Sequence, residues 1–253
     1  MKKTLLALAT VAACSSPLAV LAQAAEAPKP EPDFTLSANV TLASQYAYRG
    51  ISQTDNRPAI QGGFDFTHKS GFYIGNWNSN ISWISDAVPG ASAPIEMDFY
   101  GGYKYELIKD LTLDVGVLQY YYPISGTKPS PSPNTTELYV GATWGPASLK
   151  YSQAVTNLFG FADSKNSYYV DGGLSYEVIP SLTLVAHVGY QGVKGYSDAS
   201  YTDWKLGANY AIDNWTLGLA YVDTNAKASV YTSLASGKDL GKGKVIASVG
   251  RSF

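Results

Sequence analysis

Apolar and polar residues alternate along most of the chain. From Phe34 to Tyr48, Phe34, Leu36, Ala38, Val40, Leu42, Tyr46 and Tyr48 share one parity, and Thr35, Ser37, Asn39, Thr41 and Gln45 share the other. A period of two predicts a strand with one greasy and one polar face. This run is longer than the five or six residues, roughly, of an ordinary strand, and suits a tilted crossing of a bilayer. The pattern recurs near 59–68, 72–83, 95–106, 111–122, 135–144, 147–155, 167–178, 182–191, 201–212, 215–223 and 244–253, which predicts twelve strands. In the third of these, Tyr73, Trp77, Ile81 and Trp83 are the expected outward set.

The connections alternate as well. Short turns fall at 69–71, 107–110, 145–146, 179–181 and 213–214, and longer polar stretches at 49–58, 84–94, 123–134, 156–166, 192–200 and 224–243. A membrane β-barrel has tight periplasmic turns and long outer loops, and an even strand count returns both ends to the periplasm. Lipid offers the backbone no hydrogen bonds, so a spanning sheet must close. Aromatics should gather where a ring can face lipid and its polar atom water. Phe34, Tyr105, Trp144, Tyr176, Tyr210, Trp215 and Phe253 lie at the expected periplasmic strand ends; Tyr46, Tyr48, Trp83, Tyr121, Tyr190 and Tyr221 lie at the other. A soluble sandwich also alternates, but with shorter strands. The fold expected is all-β: one antiparallel transmembrane barrel of twelve strands over 34–253.

The N-terminus reads as an address. Met1-Lys2-Lys3 precedes an Ala/Leu/Val-rich run, and Ala22-Gln23-Ala24 has the small-x-small form of a cleavage site. Residues 1–24 are the expected signal peptide. Val11-Ala12-Ala13-Cys14 offers a competing lipoprotein site, within a short apolar stretch. Residues 25–33 alternate Pro with charge and should form an extended tail. Beyond residue 33 no apolar run is long enough for a membrane-spanning helix. The chain ends on Phe253, preceded on its parity by Val245, Ala247 and Val249 and interrupted by Arg251. Such an ending resembles the signal read by the barrel-assembly machinery.

The 253 residues carry a formal net charge of −2 and no long basic block, so nucleic acid is not an expected partner. One Cys and two His leave no material for a thiol or His-rich metal centre, and no cofactor is expected. His68 and His187 lack the setting of a hydrolase, and no Gly-x-Ser-x-Gly elbow is present. Lys238 to Lys244 has the wrong spacing for a phosphate loop. It reads as a basic outer loop able to touch lipopolysaccharide phosphates.

Function should reside on the inward parity. The expected pore lining is Arg49, Asp65, Asn76, Asn78, Glu96, Asp98, Lys104, Asp114, Glu137, Lys150, Asp171, His187, Asp203 and Lys205. With Glu106 and Glu177 the inward acids outnumber Arg49 and the three lysines nine to four. Carboxylate rings favour cations in a pore, unless the charges pair and close the lumen. Arg49 is expected to bind a lumen carboxylate and fix the first loop, or to narrow the mouth. Asn76, Asn78 and Asn80 would form a neutral ladder along the wall.

Three segments carry a family resemblance: Ser44-Gln45-Tyr46-Ala47-Tyr48-Arg49-Gly50-Ile51-Ser52-Gln53-Thr54, Gly71 to Asn80, and Glu96-Met97-Asp98-Phe99-Tyr100-Gly101-Gly102-Tyr103. Together they resemble the TorF family of proposed porins, proteobacterial proteins first described as conserved hypotheticals. The resemblance implies an outer-membrane barrel and assigns no functional residue. The combined expectation is a passive, weakly cation-selective channel for small polar solutes or ions in the outer membrane of a Gram-negative bacterium, with membrane lipid and lipopolysaccharide as partners. The alternative is a closed barrel that serves structurally or binds a ligand or partner through its loops. The transported solute, the gating and the oligomeric state are not written in the sequence.

Overall fold

A computed structural model of the protein describes residues 32–253; the expected leader, and all but two residues of the expected tail, lie outside the described residues. Twelve antiparallel strands close into a barrel. In chain order they are strand 1 (Phe34–Ala43), strand 2 (Ala59–His68), strand 3 (Phe72–Asn80), strand 4 (Ile95–Ile108), strand 5 (Leu111–Tyr121), strand 6 (Thr135–Trp144), strand 7 (Ala147–Ala154), strand 8 (Tyr168–Ile179), strand 9 (Leu182–Gly192), strand 10 (Tyr201–Ile212), strand 11 (Trp215–Thr224) and strand 12 (Lys244–Ser252). Each pairs with its neighbour in sequence, and strand 12 returns to strand 1 from Asn39↔Ser252 to Ala43↔Ser248. Closure removes the exposed edges that an open sheet would leave.

Turn chemistry explains the short end. Gly71, Asp110, Gly145, Ser181 and Asp213 hold positive φ, as tight hairpins demand. Tyr105–Leu113 and Tyr176–Leu184, which both open on Tyr-Glu and close on Leu-Thr-Leu, share one device: each shifts register by a bulge, at Glu106/Ile108 and at Glu177/Ile179, before its turn. Tyr210–Leu217 turns without a bulge, through Ile212↔Trp215.

The outer wall is apolar. Leu36, Phe64, Ile74, Val115, Val140, Leu149, Leu174, Val188, Leu206, Leu219 and Val245 are all exposed on it. Phe34, Tyr105, Trp144, Tyr176, Tyr210, Trp215 and Phe253 ring the turn end, outward and exposed. Arg251 lies among them, its guanidinium 5.2 Å from the Trp215 ring centre and 5.1 Å from that of Phe253. The rings shield its charge, while the long stem reaches the barrel rim.

Two expectations fail at the loop end. Strand 1 stops at Ala43, and Tyr46 and Tyr48 turn into the barrel instead of ringing its outside. In strand 3 the outward residues are Phe72 and Ile74, while Trp77 is buried within and Tyr73 points to Asp114. Ile81 is buried beyond the strand, and Trp83 opens a short helix, Trp83–Ala87.

Candidate functional site

Register sorts the inward face. Residues directly opposite one another on paired strands share a face. Asp65, Glu96, Asp98, Lys104, Asp114, Glu137, Lys150, Asp171, His187, Asp203 and Lys205 lie on the inner parity, as do Glu106 and Glu177. Lys244 joins them, opposite Val222. Sequence reading missed it because it opens its strand from a loop rich in Lys and Gly.

Asn76 and Asn78 are a correction. Asn76 sits between Phe64 and Phe99, both exposed on the outer wall, and Asn78 between Gly62 and Met97. Both asparagines, with Asn80, therefore belong to the outer parity. Their amides turn back onto the sheet: Asn76 Nδ2 donates to Asp98 O at 3.0 Å, and Asn78 Nδ2 to Asn76 Oδ1 at 2.5 Å and to Gly62 O at 3.3 Å. Polar side chains can sit there because the backbone carbonyls beside them have a lone pair to spare.

The inner face is divided by the first loop. Residues 44–58 fold back into the barrel as a strap. At its tip Ala47–Tyr48 pairs with Ile51–Ser52 around Arg49 and Gly50, whose φ values of 45° and 80° are those of a tight two-residue hairpin turn. A β-carbon on Gly50 would run into Thr224 and would stand 2.9 Å from Asp203 Cβ, so only glycine lets the tip approach this wall.

The strap's side chains reach several walls. Tyr46 Oη donates to Glu96 Oε1 at 2.6 Å and packs edge-on against Trp77. Tyr48 and Tyr120 share a hydroxyl hydrogen bond of 2.5 Å. Arg49 donates from Nη2 to Glu137 Oε2 at 2.7 Å and from Nη1 to Gln191 Oε1 at 2.6 Å, and it lies 4.2 Å from the Tyr169 ring centre. Both members of the Arg49–Glu137 pair are nearly inaccessible, with side chains 6% and 1% exposed. An ion pair sealed this way depends on its hydrogen bonds, since neither charge retains water.

The other inner charges are half-buried and form a band toward the turn end. Tyr100 Oη donates to Asp65 at 2.6 Å, and Tyr73 Oη donates to Asp114 at 2.6 Å and also meets the Tyr139 hydroxyl. Lys104 lies over the Tyr73 ring at 4.9 Å, and Lys150 over Tyr139 at 3.8 Å. Lys104 stands opposite Asp114, and Lys150 opposite Asp171. His187 bridges Asp171 and Asp203 at 2.6 and 2.7 Å, and Tyr169 also donates to Asp203.

The expected lining thus splits in two. Arg49, Glu96, Asp98, Glu137 and Asp203 are buried at the level of the strap, whereas Asp65, Lys104, Asp114, Lys150, Asp171, His187 and Lys205 retain access to the lumen. With exposed Glu106 and Glu177 nearer the turns and half-buried Lys244 beside the strap, the inner face keeps five accessible carboxylates to four ammonium groups. That is a weaker bias than the sequence count, because the strap covers several of the acids.

At the loop end the strap meets the last loop, residues 225–243. Asp55 accepts from Ser236 Oγ at 2.5 Å and from Lys238 Nζ at 3.3 Å, and Ser52 N donates to Leu240 O at 2.9 Å. Lys244 Nζ donates to Gly50 O at 2.9 Å. Burial pushes the Asp55 carboxyl up, but the bonds from Ser236 and Lys238 outweigh it and hold the group below its ordinary value.

No curated protein sequence matches the chain. Among solved structures the fold is similar to that of the KdgM porin, solved in complex with disordered oligogalacturonate. That match has 12% identity, a TM-score of 0.54 and covers 86% of this chain and 99% of that one. The NanC porin, in a rhombohedral crystal form, matches at 13% identity and a TM-score of 0.52, covering 87% and 99%. At such identities the likeness is one of fold: a closed twelve-stranded porin-type barrel. Residues 26–253 match the family model described as bacterial protein of unknown function (Gcw_chp), and the chain belongs to that family.

Proposed function

We propose that the protein is an outer-membrane channel for passive diffusion of small polar solutes or ions, with a weak preference for cations. The observation that carries this reading is the accessible inner band, polar and charged around the barrel, inside a wall whose outer face is apolar. Small barrels fill their interior with side chains and the largest leave open water; twelve strands stand between. Asp65, Asp114, Asp171, Glu106 and Glu177, against Lys104, Lys150, Lys205 and Lys244, supply the slight cation bias. The same bias argues against an anionic sugar such as the one in the KdgM complex. The porin-like neighbours and the expected signal peptide support the outer membrane as its place, with lipid and lipopolysaccharide around it. The Ser44–Thr54 segment supports the narrower assignment to the TorF family. The reading includes no catalytic step: His187 is held between two carboxylates, and His68 by Ser70 at a turn.

Reversal potentials across planar bilayers under a salt gradient test the selectivity. Cation preference is expected, and Asp65→Asn should reduce it; anion preference would end that part of the reading. Liposome swelling with neutral sugars, amino acids and salts tests permeation itself. The second reading, a closed barrel working through its loops, draws support from the strap across the lumen, and absence of any conductance would favour it.

A further inference from the structure

We propose that the first-loop strap is a gate: docked, it shuts the barrel, and release of its contact with the last loop lets it swing out and open the lumen. The inference rests on the channel reading. It begins with reach. The strap leaves strand 1, and Arg49 at its tip pins strand 6 to strand 9 through Glu137 and Gln191, far around the barrel. Tyr46 and Tyr48 hold strands 4 and 5, through Glu96 and Tyr120, and Gly50 rests on Asp203 and Thr224 of strands 10 and 11. One hairpin thus touches most of the wall at a single level, so whatever crosses the barrel must pass it.

The two ends of the strap are built differently. The tip is a buried ion pair among tyrosines. The base is held near the surface, by Asp55 with Ser236 and with Lys238, whose side chain is 47% exposed. A contact with one exposed partner is the weaker, and it lies where conditions outside the barrel reach it. The docked state also carries a cost. Asp98 Oδ1 and Glu137 Oε1 are sealed without a hydrogen-bond partner among the described residues. Water would satisfy both once the strap left, which offsets part of the loss of docking contacts. A docked state with strong pins and two sealed carboxylate oxygens that lack a hydrogen bond, closed by a surface latch, has the make-up of a two-state element.

Single-channel recording on the folded full chain tests this. In Asp55→Cys with Ser236→Cys, the oxidised protein, its strap tied to the last loop, should stay in a low-conductance state. After reduction it should open more often than wild type, since the latch is gone. A second variant, with residues 45–57 replaced by a short Gly/Ser turn, should be open continuously, with several-fold higher conductance. The change in gel mobility on boiling confirms that each barrel is folded. Equal conductance in the oxidised and reduced protein overturns the gate, as does a folded strapless barrel that conducts like wild type. A folded strapless barrel that passes no current overturns the channel reading instead. Should the strapless chain fail to fold, the oxidised-against-reduced comparison decides alone.

Discussion

The two ends of the lumen are built from the same alternating strands and differ in almost everything else. At the loop end the inward positions are large and paired: Trp77, Glu96, Tyr120, Glu137, Tyr169, Gln191 and Tyr201 are all buried. Toward the turns they are small and wetted: Ser37, Asn39, Thr112, Thr143, Ser148, Ser175, Thr183 and Asn209 are half-buried at most. Alternation sets which residues face inward. It does not set whether they face water or protein. Large polar groups need partners when covered, and the strap supplies them; small hydroxyls need only water and leave room for it.

The largest effect should come from breaking the pairing at the loop end. Glu137→Ala strands Arg49 as a buried charge and should cost about 3–5 kcal/mol of stability. Thr183→Ala, in the wetted half, should stay within about 0.5 kcal/mol. Urea unfolding of the reconstituted barrel measures both; equal costs would abolish the contrast between the ends. A smaller effect is expected at the strap's tip. Gly50→Val forces a branched residue to φ 80° and into Thr224, which should cost on the order of 1–3 kcal/mol of docking. Trypsin reads this directly: the bond after Arg49 is protected in the wild type and should be cut in the variant.

The smallest effect is one of pH. The Asp55 carboxyl is held below its ordinary value, near pH 4, so its contribution to the latch is complete above that pH. It is lost as the pH falls through the lowered value. Amide protection at Ser52, whose N–H bonds Leu240 O, taken relative to the intrinsic exchange rate at each pH, should fall over that acid range, and Asp55→Asn should remove the dependence. A protection factor that ignores pH in the wild type would separate the latch from the strap.

Much of this molecule is legible in its sequence. Parity misleads in strand 3, and the reason is specific. Its two faces are both mixed, Tyr73 and Trp77 on one and Phe72, Ile74, Asn76 and Asn78 on the other, so alternation does not choose between them and register decides. A signal is present: Asn76 falls opposite Phe64 and Phe99, residues that the alternation of their own strands already turns outward. Tyr46 and Tyr48 mislead differently, because their parity continues that of strand 1 although the chain has already left the wall.

By itself the sequence determined a closed barrel of twelve strands, with a greasy outside and a polar inside. A period of two, maintained through strands joined by alternating short and long connections, leaves a backbone in lipid no other way to satisfy its hydrogen bonds. The tertiary structure alone decided where residues 44–58 go. Arg49 finds Glu137 and Gln191 at 88 and 142 residues' distance along the chain. Partners so remote leave no trace in local alternation, and they meet only because closing the barrel brings those walls around the strap.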